Sequence, residues 1–111
     1  MTITGESLLI IAAAVVNADP VAPTWIARSG FANTIPTRTA LGVYTLTVVQ
    51  AVDQARCVPL VCLYGTQPAG GEQAISVNQT DDTTFVVTIS DGTVAADLDF
   101  AIQIMAGGDI A

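Results

Sequence analysis

From residue 83 to residue 105 the side chains alternate between apolar and polar with a period of two. That pattern restricts the chain to β structure more tightly than anything else in it. Phe85, Val87 and Ile89 fall on one side and Thr84, Thr88 and Ser90 on the other, with Val86 the apolar exception. Phe100, Ile102 and Ile104 then oppose Asp99 and Gln103. Successive side chains of a strand point to opposite faces, so this spacing suits a sheet with one buried and one wet side. Two strands joined by a short acidic connection are expected here. Residues 42–49 repeat the pattern, with Tyr44, Leu46 and Val48 against Val43, Thr45, Thr47 and Val49. Residues 58–64 follow, with Leu60, Cys62 and Tyr64 on one face and Pro59, which cannot donate to a ladder, marking an edge. Residues 72–78 read as a further short strand between a glycine-rich loop at 65–71 and a turn at 78–82. Short strands between turn signals, without a helical period, give an all-β chain: an antiparallel β-sandwich or jelly-roll-like single domain.

The N-terminal end departs from this alternation. Residues 8–16 carry no polar side chain. Nine residues are too few to cross a bilayer, which takes about 20 in a helix. A cleaved secretory signal is disfavoured, because Glu6 rather than Lys or Arg precedes the run. Two forms remain: a strand buried on both faces, or an apolar arm laid on a neighbouring subunit. Pro20 holds Asp19 in extended geometry and separates this run from the alternating strands, which favours an attaching arm. The chain is therefore divided into residues 1–20, an apolar N-terminal strand or arm, and residues 21–111, the sandwich. Leu8, Leu9, Ile10 and Ile11 are candidate contacts with a subunit or capsid. Pro20, Pro23 and Pro36 then punctuate a stretch of edge strand or turn, where Trp25, Arg28, Phe31 and Arg38 complete the candidate contact set, since aromatic residues and Arg dominate interface energetics. For Trp25 the preferred alternative is that it caps the core.

At 111 residues there is room for one core. Apolar residues make up 51% and charged residues 12%, which excludes a disordered chain. Lys is absent, Arg occurs three times and the net charge is -7, so nucleic acid is not an expected partner. No membrane partner is expected either. A mean hydropathy of +0.59 is high for a soluble monomer, and burial against other chains accounts for it. A homo-oligomer is expected.

Little in the sequence suits catalysis. The absence of His excludes a Ser-His-Asp triad, a Cys-His pair and a histidine metal site. Cys57 and Cys62 in one strand face opposite ways roughly 16 Å apart, beyond disulfide reach. Both are expected to be free, with Cys62 buried, and two thiols alone make a poor zinc site. Asp91-Gly92-Thr93 transposes the Asp-Thr-Gly turn of the small dimeric aspartic proteases and reads instead as a plain turn. Asp81, Asp82, Asp91, Asp97 and Asp99 lie in or beside loops without calcium-binding spacing and read as solvated turn residues. Asn78-Gln79-Thr80 is a glycosylation triplet that matters only in a secretory pathway. No cofactor, no metal and no enzymatic activity are expected.

Three stretches carry a resemblance. Pro36-Thr37-Arg38-Thr39-Ala40-Leu41-Gly42-Val43-Tyr44-Thr45-Leu46-Thr47 is followed by Thr84-Phe85-Val86-Val87-Thr88 and by Ala96-Asp97-Leu98-Asp99-Phe100-Ala101-Ile102. As a pattern over residues 36–105 they resemble β-rich virion proteins of tailed bacteriophages, in which a Gly-x-Tyr-x-apolar strand and a late Asp-x-x-Phe strand recur in head decoration, cement and fibre domains. The resemblance implies a non-enzymatic structural protein, a capsid decoration or cement protein that binds and stabilises the virion shell, commonly as a homotrimer. Its implied partners are the major capsid protein or other virion proteins. Its implied location is the capsid surface, after synthesis in the host cytoplasm. The alternative is a receptor- or carbohydrate-binding fibre domain, for which Trp25, Tyr44 and Tyr64 are the only candidate stacking rings, Tyr44 and Tyr64 sharing strand faces with core residues.

Overall fold

The apolar sides of the alternating segments meet between two sheets. In a computed structural model, which describes residues 8–32, 35–65 and 72–107, the strands are β1 Leu8–Asn17, β2 Thr24–Ser29, β3 Thr37–Ala40, β4 Val43–Thr47, β5 Cys57–Leu63, β6 Gln73–Gln79, β7 Thr84–Asp91, β8 Val94–Ala95 and β9 Phe100–Gly107. One 3-10 turn, Gln54–Arg56, leads into β5, its first N–H groups capped by Asp53, whose side chain accepts from Ala55 N at 2.9 Å. The first sheet has the order β2-β1-β9-β5 and the second β3-β4-β7-β6, with β8 on the end of β7. Every pairing is antiparallel. The fold is thus an antiparallel β-sandwich.

The core is built from the residues whose alternation is cleanest. Phe100, Ile102 and Ile104 of β9 face Phe85, Val87 and Ile89 of β7 and Tyr44 and Leu46 of β4, all buried. Tyr44 and Phe100 meet across the core with ring centroids 5.4 Å apart. The segments at 83–105 are strands as expected, but they do not pair with each other: β7 pairs with β4 and β6, and β9 with β1 and β5. The connection between them carries the chain from one sheet to the other, so its two strands face rather than adjoin.

Two expectations need correcting. In β5 it is Cys57, Val61 and Leu63 that pack toward the core, while Leu60 is 49% exposed and Cys62 exposed. Tyr64, on the same parity as Leu60 and Cys62, is 46% exposed rather than set among core residues. Both alternate sets of β5 are apolar, so periodicity marks a strand without saying which face turns inward. Pro59 does lie on an edge strand.

At the N-terminus, the strand is the form that Leu8–Asn17 takes. β1 lies between β2 and β9 in the first sheet and buries Ala12, Ala14, Val16 and, just beyond it, Ala18. Residues 1–7 lie outside the described residues, as do 66–71 of the glycine-rich loop.

Two glycines occupy places no other residue fits. Gly30 has φ +81°, and a Cβ there would run into the Ile11 carbonyl and Ala12; Gly42 has φ +71°, and a Cβ there would meet the Ile89 carbonyl and the Ala96 backbone. Gly92 also has positive φ, +68°, but faces open space. Urea unfolding should show Gly30→Ala and Gly42→Ala losing more than ~2 kcal/mol each, against ~1 kcal/mol for Gly92→Ala, where only the backbone preference is lost.

Candidate functional site

Two features stand out beyond the core: a part-buried polar lock at one end of the sandwich, and an apolar surface on the outside of the first sheet.

The lock is made by the connection between β8 and β9. Asp97 Oδ1 accepts hydrogen bonds from Gly42 N at 2.9 Å and from the Tyr44 hydroxyl at 2.9 Å. Arg38 Nε lies 3.1 Å from both carboxylate oxygens, and its Nη2 is 3.0 Å from Oδ2. The Asp97 side chain is only 6% exposed. Burial pushes its pKa up, but Arg38, the Gly42 amide and the Tyr44 hydroxyl together outweigh burial and hold it below the usual carboxylate value. Burial, followed by the Asp97 carboxylate, raises the Tyr44 phenol, and Asp97 raises Arg38. Tyr44 therefore stays protonated as a fixed donor, and the cluster joins elements rather than moving protons. Two residues on, Asp99 Oδ1 accepts from Ala18 N at 2.8 Å. Asp97 thus pins the β3–β4 hairpin of one sheet, while Asp99 pins the exit of β1 from the other.

The apolar surface follows from the register. Ala12, Ala14 and Val16 point inward, so Ala13 and Val15 point out; pairing puts Ala27 and Ser29 of β2 beside them, with Ala101 and Gln103 of β9 on the other side. Leu60 and Cys62 of β5 continue the face. These residues line a groove of about 600 Å³, in which Arg28 is the one charged lining residue and no carboxylate takes part. The carboxylates of the described residues lie in connections, apart from Asp91 at the end of β7. At one end of the face, Leu8, Leu9 and Ile10 are 47%, 67% and 61% exposed. A register shift between Ile10 and Ala12 sets them off from the rest of β1, and they extend past the core as an apolar tip.

The candidate contact residues fall into three groups. Leu8, Leu9 and Ile10 form the tip, and Ile11 packs partly against the core. Trp25 is half-buried and stacked on Phe31 with centroids 5.4 Å apart, and the Arg28 guanidinium lies 5.8 Å over its ring. Phe31 is itself a core residue at 4% exposure, and Arg38 belongs to the lock. Of the stacking rings considered for a glycan, Tyr44 is fully buried. Among the described residues no group of three His, Cys, Asp or Glu side chains could hold a metal. Sequence reasoning missed the lock, whose members are separated by more than fifty residues, and the outer face, whose small residues show no contrast.

Both thiols are free, Cys57 half-buried and Cys62 exposed, and burial pushes the Cys57 thiol up. Titration of the denatured, unreduced chain should find two thiols. In the native state Cys62 should react first and Cys57 lag behind it. Because Cys62 faces solvent, Cys62→Ser should change stability by no more than about 0.5 kcal/mol, contrary to the buried position expected for it.

Against known proteins the chain stands apart: no family model, no curated protein and no solved structure matches it.

Proposed function

We propose that the chain is a non-enzymatic structural subunit of a tailed-phage virion, a decoration or cement protein that seats on the capsid shell. The virion assignment rests on the resemblance over residues 36–105. The observation that supports attachment is the tip: three consecutive apolar residues, Leu8, Leu9 and Ile10, each about half exposed or more at the end of a strand that farther along buries Ala12, Ala14 and Val16.

Such a tip exposes apolar surface at a cost that burial against another protein relieves. A fully buried Leu or Ile contributes about 1.5–3 kcal/mol, and these three, already partly covered, supply roughly half of that each. A few kcal/mol is weak for one contact. Repeated over subunits that are themselves associated, it becomes effective through multivalency.

Co-sedimentation with shells stripped of this protein provides the test. The wild-type chain should pellet with the shells, and Leu9→Asp should remain in the supernatant with an unchanged thermal melt. Absence of wild-type binding, or binding indifferent to Leu9→Asp, removes the proposal. Retention on a glycan array without shell binding would favour the fibre-domain alternative.

A further inference from the structure

We infer that the outer face of the first sheet is where a second copy of this chain packs, sheet on sheet about a two-fold axis. The face has relief. On β2 its floor is low, because Ala27 and Ser29 carry short side chains, and Ala13 of β1 and Ala101 of β9 extend the low ground between Val15 and Gln103 in the 600 Å³ groove. Along the edge strand β5 it is high, where Val58 and Leu60 stand 37% and 49% exposed. A two-fold axis running along the strands, between two such faces, sets β5 of each copy over β2 of the other. Leu60 of each then drops toward the partner's Ser29 and Cys62 toward the partner's Ala27, the β2 residues at the same levels along the strands, at the spacing of about 10 Å that stacked sheets adopt.

Charge selects the same face. Two copies each carrying -7 repel wherever carboxylates meet. The groove lining holds none, and Arg28, which borders it, pairs with inward-facing Ala14 and lays its guanidinium over Trp25 rather than on this face. Size agrees as well. Four strands about 4.8 Å apart and about eight residues long, at about 3.3 Å per residue, cover roughly 500 Å² per copy, or roughly 1,000 Å² for the pair. That reaches the lower bound for a specific interface and falls short of the standard size, so the dimer should dissociate in the micromolar range.

Gln103 gives the pairing its polar centre. It sits on β9 opposite Ala13 of β1, the two central strands of the sheet, and therefore beside the axis. A carboxamide both donates and accepts, so two copies of Gln103 satisfy each other across the axis.

The pairing goes beyond the shell-binding proposal and stands without it: shell binding can fail while the dimer persists. Sedimentation equilibrium of the full chain, from low micromolar to millimolar concentration at pH 7, should return a two-chain mass that falls at the dilute end. Gln103→Glu puts two carboxylates across the axis and should weaken association by about tenfold or more. Gln103→Leu should keep the two-chain mass, and Val49→Glu, at a 70% exposed site outside the face, should leave it unchanged. Thermal melts establish that each variant is folded. A one-chain mass at millimolar concentration, a three-chain mass, or a dimer indifferent to both Gln103→Glu and Leu60→Glu would overturn the pairing.

Discussion

Removing residues 1–18 should abolish folding outright, leaving a chain with no cooperative melt, rather than release a folded domain without its attachment arm. β1 is hydrogen-bonded on both sides, to β2 and to β9. Without it β2 loses its only partner strand among the described residues, and the inward side chains of β9 lose their neighbours Ala12, Ala14 and Val16. Asp99 also loses the Ala18 amide it accepts from. Native stability is typically about 5–15 kcal/mol, and cutting a central strand out of a two-sheet core removes more than that margin. A shorter deletion, residues 1–10, should behave differently. It takes away the tip but keeps Ala12, Ala14 and Val16, so cooperative melting should survive while shell binding fails. A chain starting at Asp19 that melts cooperatively would refute this account of β1.

Asp97→Ala should destabilise the protein by about 2–3 kcal/mol, because it leaves the Gly42 amide and the buried Tyr44 hydroxyl without their acceptor, while the partly exposed ion pair with Arg38 adds little. It leaves Arg38 without its carboxylate and takes the acceptor from the Gly42 amide and the buried Tyr44 hydroxyl. Asp97→Asn can still accept from both but no longer neutralises Arg38, and should lose less than Asp97→Ala, because that ion pair is partly exposed. The pH dependence has a definite sign. Asp97 is held below its ordinary value in the folded state, so its contribution is complete above the unfolded carboxylate value of about 4 and is lost as pH falls below it. Asp19 and Asp81 are also lowered by backbone amides and add to the same slope. Melting curves from pH 7 to about pH 3 should therefore show a shallower loss in Asp97→Asn than in wild type. Equal slopes would remove the electrostatic role assigned to the lock.

What could be read before any coordinates was the set of strands with contrast between their faces. Tyr44, Leu46, Phe85, Val87, Ile89, Phe100, Ile102 and Ile104 were all placed on inward faces by alternation, and all are buried. β1 and β5 were harder for one shared reason. Each carries apolar residues on both faces, so the period-two signal that decides burial is absent. Periodicity marked Leu60, Cys62 and Tyr64 as one face but could not say that it turns outward. Sheet membership was hidden too, because alternation describes a strand and not its neighbour, and β7 and β9 looked like a hairpin for that reason. The lock between Arg38 and Asp97 spans two strands and a connection, and local spacing carries no trace of it.

The pairing of β1 with β9 also sets the order in which this protein can come into being. β1, which comes first of the described strands, has as one of its two partners β9, which comes last of them, Leu8 meeting Gly107 and Val16 meeting Phe100. The first sheet therefore cannot close until β9 is available, even though the β3–β4 and β6–β7 pairs of the second sheet can form earlier. Closing so long a loop places the chain among slow-folding, non-local β topologies, with refolding in milliseconds to seconds. Until β9 pairs, an uninterrupted apolar strand lacks one of its two partners, and aggregation competes with closure of the sheet at that point.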